Sequence, residues 1–304
     1  MTELRFDDRV AIVTGAGRGI GRAHALHLAA NGARVVVADY GVEIDGSGRS
    51  QGPADEVADE ITAAGGQACA CYASVTQQDE AASIVQTALD RFGRLDIVIN
   101  NAGIHDPGAF GQLSVDQFRA MLDVHFFGAV HVLQAAWPHF TQAGYGRVVN
   151  TVSEAMLGGI GGLTSYGAAK GAVFGLTRNL ASEGGPLGIK VNAIAPRAYT
   201  RMSASSSDAL AESLSMSKEE MDQVNASMPP ELCSPAAAYL AHESCAISGE
   251  VLQVGMGGIA RLALVHTQGI VKAGLTAADI ADNLDTILDV RDAQVTSSEL
   301  IGIS

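Results

Sequence analysis

Seven short apolar runs punctuate the chain: RVAIVTG (9–15), ARVVVADY (33–40), QACACYA (67–73), LDIVINN (95–101), GRVVNTVS (146–153), IKVNAIAP (189–196) and GEVLQVG (249–255). Each has strand length, and most are β-branched on successive positions, the pattern of strands covered on both faces. Between them lie Ala-rich stretches with helical spacing: 21–32, 54–66, 80–93, 114–140 and 165–185. Strand and helix alternate about seven times, which predicts an α/β fold, a Rossmann-like doubly wound parallel sheet. In such sheets ligands bind at the carboxyl ends of the strands, near the topological switch.

Three segments fall outside the alternation. GVEIDGSGRSQGPAD (41–55) is a Gly/Ser-rich loop that ends at Pro53, a favourable first-turn residue for the next helix. The stretch from Tyr199 to Pro230 is rich in Ser, Met and Glu, as expected of a lid. After Gly258 a tail follows in which Ile280, Leu284, Ile287 and Leu288 recur at helical spacing behind Thr276, a candidate N-cap. We therefore expect one main domain over 1–258 that includes a lid at about 199–230. A helical C-terminal extension over 259–304 would dock on the body or on a second subunit. Within the long fourth helix, Trp137 is a packing residue and Pro138 should bend or end the helix. VHFFGAVHVL (124–133) places His125 and His131 in an apolar helical run.

Composition narrows the class. With 47% hydrophobic residues, 17% charged residues and 35 glycines in 304, the chain has a large core and many tight turns. A net charge of −14 gives no sign of a phosphate-neutralising surface, so nucleic-acid binding is not expected. An anionic ligand must then be held by local devices. The four cysteines, Cys69, Cys71, Cys233 and Cys245, form no CxxC pair and read as reduced thiols of a cytoplasmic protein. No signal peptide is expected from the charged start MTELRFDDRV, and no apolar run of about 18 residues is seen. His24 and His27 share a helix face without a third ligand, so no metal site is expected.

One such local device is TGAGRGIG (14–21), between the first strand and first helix. Its glycines permit close approach to a pyrophosphate, and the helix N terminus supplies free N–H groups. The spacing is TGxxxGxG, with Gly15, Gly19 and Gly21, and not GxGxxG. Asp39 ends the second strand 18 residues past Gly21. An acid there accepts hydrogen bonds from an adenosine ribose and repels a 2′-phosphate, favouring NAD over NADP. Arg18 inside the loop weighs the other way.

Candidate chemistry lies downstream. Tyr166 and Lys170 are four residues apart, so a helix puts them on one face about 6 Å apart along its axis. An ammonium beside a phenol favours phenolate. Ser153, thirteen residues upstream of Tyr166 at the end of a strand, can hydrogen-bond an alcohol or carbonyl oxygen.

TGAGRGIG, NNAG (100–103), Ser153 and YxxxK together, in this order, resemble the short-chain dehydrogenase/reductase family, over Phe6 to about Gly258. The resemblance implies that Tyr166 is the general acid/base, that Lys170 lowers its pKa and holds the cofactor ribose, and that Ser153 orients the substrate oxygen. It also places Gly15, Arg18, Gly19, Ile20, Gly21, Asn101, Ala102 and Gly103 near the cofactor, with Ser74 and Val75 flanking adenine. Two departures stand out. Many members carry an asparagine in a kinked stretch of helix that holds a water leading to the lysine, and His125 occupies that position here. After the sixth strand the usual PG is Pro196-Arg197, which leaves the carboxamide contacts expected of Pro196, Tyr199 and Thr200 open.

A narrower likeness lies in ADYGVEIDGSGRS, AAWPHF, YGRVV, MPPELCSPAAAYLAHESC and EVLQVGMGGIARL. These resemble the dehydrogenase part of peroxisomal multifunctional β-oxidation enzymes, which is 17β-hydroxysteroid dehydrogenase type four-like. That likeness implies NAD-linked oxidation of a (3R)-hydroxyacyl-CoA to the 3-oxoacyl-CoA, by a stand-alone homodimer or homotetramer. A 17β-hydroxysteroid dehydrogenase, a 3-oxoacyl-carrier-protein reductase and a non-catalytic NAD-binding sensor or scaffold are the alternatives. His105 and Asp106 sit where a substrate loop is expected, and Arg197 and Arg201 could meet CoA phosphates.

Overall fold

The computed structural model describes residues 4–204, 211 and 215–296. Strands β1 (Val10–Thr14), β2 (Arg34–Ala38), β3 (Gln67–Cys71), β4 (Ile97–Asn100), β5 (Gly146–Thr151), β6 (Ile189–Arg197) and β7 (Val251–Gly255) pair in parallel in the order 3-2-1-4-5-6-7. All seven predicted runs are strands. Helices α1 (Gly19–Ala30), α2 (Gly52–Ala63), α3 (Gln78–Phe92), α4 (Val115–Leu122), α5 (Gly128–Ala143) and α6 (Thr164–Gly184) cover the two faces. One core lies under α1 and α2 around Val35, Val37 and Ile99; another lies under α3 and α5 around Ile12, Val98 and Phe140. Burial of the sheet on both faces explains why its central strands are apolar on successive positions, as at Val35–Val37 and Ile97–Ile99.

An eighth strand, β8 (Gly258–Leu262), adds antiparallel to β7 and was not anticipated. A two-residue turn joins them: Met256 and Gly257 both have positive φ, +53° and +73°, the geometry that suits a tight hairpin.

The long fourth helix is not one helix. Between α4 and α5 the residues Asp123–Phe127 form a π-turn, in which the N–H of Gly128 reaches back five residues to the carbonyl of Asp123. Pro138 neither ends nor breaks α5, which runs on to Ala143. The proline and Gln134, whose carbonyl it leaves without an N–H, are on the exposed side, while Ala136 and Phe140 anchor the last turns in the core.

Beyond Pro196 the lid region includes α7 (Arg201–Ala204) and α8 (Lys218–Ala226); residues 205–210 and 212–214 lie outside the described residues. A further unanticipated helix, α9 (Ser234–Ala241), packs against α1. In the extension, Thr276 caps α10 (Ala277–Asp282) by accepting from the N–H of Asp279. The expected single tail helix is split, however. Asn283 leaves helical geometry, and its side chain donates to the Asp279 carbonyl at 2.8 Å, so α11 (Leu284–Leu288) starts anew. Ile280, Leu284 and Leu288 therefore do not form one continuous stripe, and all three are exposed in the single chain.

Candidate active site

The site begins where β1 ends. Gly15 and Gly19 have φ of +63° and +53°. A Cβ on Gly15 would stand 2.8 Å from Ala102 Cα, and one on Gly21 would stand 2.2 Å from the Gly15 carbonyl. Gly15 thus lets the loop pass NNAG, and Gly21 packs the start of α1 against the loop. No side chain caps α1, so its first N–H groups face the cleft and suit an anion.

Thr14 fastens NNAG to that loop. Its hydroxyl accepts from the N–H groups of Asn101 (3.0 Å) and Ala102 (3.1 Å). Asn101 Nδ2 returns hydrogen bonds to the carbonyls of Thr14 (3.1 Å) and Gly15 (3.2 Å). Asp39, at the end of β2, accepts from the N–H of Gly17 at Oδ2 and of Gly41 at Oδ1, both at 2.7 Å. Its carboxylate is therefore pinned between the glycine loop and the segment that follows β2. On the opposite wall, Ser74 donates its N–H to Glu80 (2.7 Å), and the Val75 carbonyl lies 3.1 Å from His131 Nδ1. His131 thus packs behind the wall.

The catalytic candidates meet at the carboxyl ends of β4 and β5. Ser153 follows β5 and accepts from the N–H of Ala155. Tyr166 and Lys170 share one face of α6. Lys170 is 3% exposed and donates to the Thr151 carbonyl at 2.6 Å, while its Nζ lies 5.6 Å from the Tyr166 ring centroid. Burial lowers the ammonium to about 7. The phenol moves up, not down as expected, because burial outweighs its hydrogen bond with the Ser153 hydroxyl.

His125 lies in the π-turn and is 4% exposed. Its Nε2 is 2.9 Å from the Ile104 carbonyl, its ring stands edge-on to Tyr166 at 5.3 Å, and burial together with the nearby Lys170 charge holds the imidazole well below its ordinary pKa. A small cavity of about 10 Å³ is lined by His125, Asn100, Thr151 and Lys170. His125 Nδ1, Asn100 Oδ1 and Thr151 Oγ1 have no hydrogen-bond partner among the described residues.

The glycine loop, Asp39 and the catalytic candidates open into one cavity of about 580 Å³. It is lined by the glycine loop (Gly15, Arg18, Gly19, Ile20), by Asp39, Ser74 and Val75, by Asn101, Ala102 and Gly103, and by His125, Ser153, Tyr166 and Lys170. Pro196 and Thr200 complete it. Two candidates stay outside: Gly21 packs beneath the loop, and Tyr199, 38% exposed, donates its backbone N–H to the Met228 carbonyl. Arg197 and Arg201 stand in surface ion pairs. Arg197 makes a bidentate pair with Glu154 (2.7 and 2.8 Å), and Arg201 pairs with Glu43 (3.2 Å).

Sequence reasoning missed Val42, Glu43, Ile44 and Gly46, which cover the cleft from the loop after β2. The N–H of His105 bonds the Ile44 carbonyl at 2.8 Å and ties that loop to the chain beyond NNAG. The signal was the loop's composition, since Gly41 and Gly46, at φ +73° and +89°, fold it back on itself. Among the described residues, no helix is long and apolar enough to cross a membrane, and the cysteines are free. His24, 1% exposed, lies 3.0 Å from the Ser234 hydroxyl, and burial lowers its pKa to about 3.

Known proteins are similar to this chain in sequence and fold. A family model described as short chain dehydrogenase matches residues 9–211. A short-chain type dehydrogenase/reductase of Mycobacterium tuberculosis is 43% identical over 294 residues, covering 96% of this chain and 98% of the relative. Peroxisomal multifunctional enzyme type 2 of Mus musculus is 39% identical over 95% of this chain, which spans only 38% of that longer enzyme. The structure of 7α-hydroxysteroid dehydrogenase complexed with NADH and 7-oxo glycochenodeoxycholic acid aligns with a TM-score of 0.71 and 32% identity, covering 85% of this chain and 98% of that one. A nicotinamide cofactor and a CH–OH substrate are the chemistry of this site, and the chain belongs to the short-chain dehydrogenase/reductase family.

Proposed function

We propose that the protein oxidises a (3R)-hydroxyacyl-CoA to the 3-oxoacyl-CoA, reversibly and with NAD, in fatty acid or steroid side-chain β-oxidation. The observation that carries the reading is the meeting of Ser153, Tyr166 and Lys170 in a cavity that also holds the uncapped start of α1 and Asp39. The substrate class rests on the likeness to the peroxisomal enzyme. A hydroxysteroid dehydrogenase remains the second reading, favoured by the bile-acid complex of the structural relative.

The glycine loop and α1 N terminus would bind the pyrophosphate, Asp39 the adenosine ribose, and Lys170 the nicotinamide ribose. Asp39 sets the preference for NAD, since its charge repels a 2′-phosphate. The bound cofactor supplies the hydride acceptor or donor. Ser153 orients the substrate oxygen, and Tyr166 takes or returns the hydroxyl proton. The small cavity behind Lys170 suits one water, which His125, Asn100 and Thr151 would hold as part of a proton relay.

The unit 1–258 carries this chemistry. The extension 259–304, with Ile280, Leu284 and Leu288 exposed, supplies a contact to a second copy in a homodimer or homotetramer. The reduced cysteines suit a cytoplasmic setting.

The deciding experiment measures NADH formation from a series of (3R)- and (3S)-hydroxyacyl-CoAs, beside 17β-hydroxysteroids and acyl-carrier-protein substrates. Turnover confined to (3R)-acyl thioesters on CoA supports the reading; turnover confined to steroids replaces it. Tyr166→Phe should remove turnover and leave NADH binding within a few fold, whereas undiminished turnover would overturn the assignment of the site.

A further inference from the structure

We infer that His105 is a second polar anchor for the substrate: its imidazole N–H receives the thioester carbonyl of the 3-hydroxyacyl chain while Ser153 and Tyr166 hold the hydroxyl. This deepens, and rests on, the acyl-thioester reading above.

His105 follows NNAG and is 7% exposed, yet its ring lines the reaction cavity. It stands edge-on to the Tyr166 phenol, with centroids 5.5 Å apart and planes at 90°. His125 packs on the same phenol in a similar way, but the two histidines differ in their partners. His125 is satisfied at Nε2 by the Ile104 backbone. The His105 ring has no such partner: Nδ1 is buried and unbonded, and no group among the described residues accepts a proton from Nε2.

An unpaired buried polar group is costly, so this imidazole is poised for something that enters the cavity. Burial lowers its pKa and keeps it neutral, with one N–H and one lone pair. Leaving a lone pair unsatisfied costs less than leaving an N–H unsatisfied. The proton therefore resides on Nε2, the nitrogen that protein does not bury, and the ring offers the cavity a donor.

The donor is also held in place. The His105 N–H bonds the Ile44 carbonyl at 2.8 Å, and Asp106 is drawn away to Gln117 Nε2 at 2.8 Å. A fixed donor beside the oxygen-binding pair suits a substrate with a second oxygen close to its hydroxyl. In a 3-hydroxyacyl thioester the carbonyl carbon is two carbons from the carbinol carbon, whereas a lone secondary alcohol has no oxygen to offer. A site built to hydrogen-bond a substrate group discriminates against analogues that lack it.

The test compares kcat/KM for a 3-hydroxyacyl-CoA and for a secondary alkanol of equal chain length, in the wild type, His105→Leu and His105→Gln. The leucine removes the donor at similar bulk, and the glutamine restores an N–H near the Nε2 position. The expected result is a thioester-to-alkanol preference that falls tenfold or more in His105→Leu and recovers most of that loss in His105→Gln. NADH dissociation constants within about twofold of wild type would show that the leucine variant is folded. Equal losses on both substrates would overturn the proposal and leave His105 as packing for Tyr166. A wild type that ignores acyl thioesters but turns over other alcohols would instead sink the substrate reading on which it rests.

Discussion

The imidazole of His125 stands edge-on to the phenol of Tyr166, with ring centroids 5.3 Å apart and planes at 84°. The geometry is held from three sides. The π-turn aims His125 inward, the Ile104 backbone binds its Nε2, and Gly103 leaves room, since a Cβ there would stand 2.5 Å from His125 Cε1.

The first expected outcome concerns this contact. His125→Asn keeps a donor and an acceptor and should retain most turnover. His125→Leu keeps bulk without polarity and should lower kcat by on the order of tenfold or more, with NADH affinity within a few fold. Steady-state kinetics beside NADH fluorescence titration separates the two quantities. Equal activity in both variants would assign His125 to packing alone.

Asp39 serves the fold as well as the cofactor. Asp39→Ala leaves the N–H groups of Gly17 and Gly41 without their acceptor and should cost about 1–3 kcal/mol of stability. It should also weaken NAD binding and relax the rejection of NADP. Thermal melts and kcat/KM with both cofactors check the two effects; a wild type that already prefers NADP would contradict the role given to Asp39.

Lys170 carries a stability cost that depends on pH. Its folded-state pKa of about 7 lies below the ordinary 10.5. Below pH 7 both folded and unfolded states hold the proton, and the burial cost is felt in full. Between pH 7 and 10.5 the unfolded state holds more proton than the folded state, so stability from this group rises with pH. Lys170→Met should therefore be inactive yet melt higher than wild type at pH 6, with the gap narrowing by pH 9. A gap that widens with pH would show the opposite shift.

Asp96 anchors the other end of the sheet. Its side chain is 2% exposed and accepts from Arg9 (3.0 Å), from Arg94 (2.6 and 2.8 Å) and from the N–H of Val10 (2.9 Å). Asp96→Ala leaves the buried N–H of Val10 without its acceptor and takes one partner from Arg9 and Arg94, and should cost about 1–3 kcal/mol. Chemical denaturation measures the loss. Because Asp96 lies far from the cavity, the kcat of the folded fraction should be unchanged.

The parallel strands were legible because residues such as Val35, Val36 and Val37 are apolar without alternation, a pattern that two-sided burial imposes. The chemistry was legible because Tyr166 and Lys170 obey helical spacing and Ser153 ends a strand. β8 was not, since Gly258, Ile259, Ala260 and Arg261 are all exposed and carry neither an alternating nor a buried pattern. The tail stripe misled because spacing alone does not register Asn283, whose side chain competes for the helix backbone. The cleft cover from Val42 to Gly46 was hidden for another reason. Its place over the site depends on the His105–Ile44 hydrogen bond, between residues 61 positions apart in the chain.

The π-turn at Asp123–Phe127 has a consequence for what the chain can tolerate. One extra residue in a helix advances everything after it by about 100° around the axis. The π-turn absorbs that residue within one widened turn, so Val132, Leu133, Ala136 and Phe140 stay on the face that meets the sheet. The turn thus acts as a phase correction between two requirements, one that aims His125 at Tyr166 and one that keeps α5 seated. A single-residue deletion there should therefore cost the His125–Tyr166 contact and leave α5 seated.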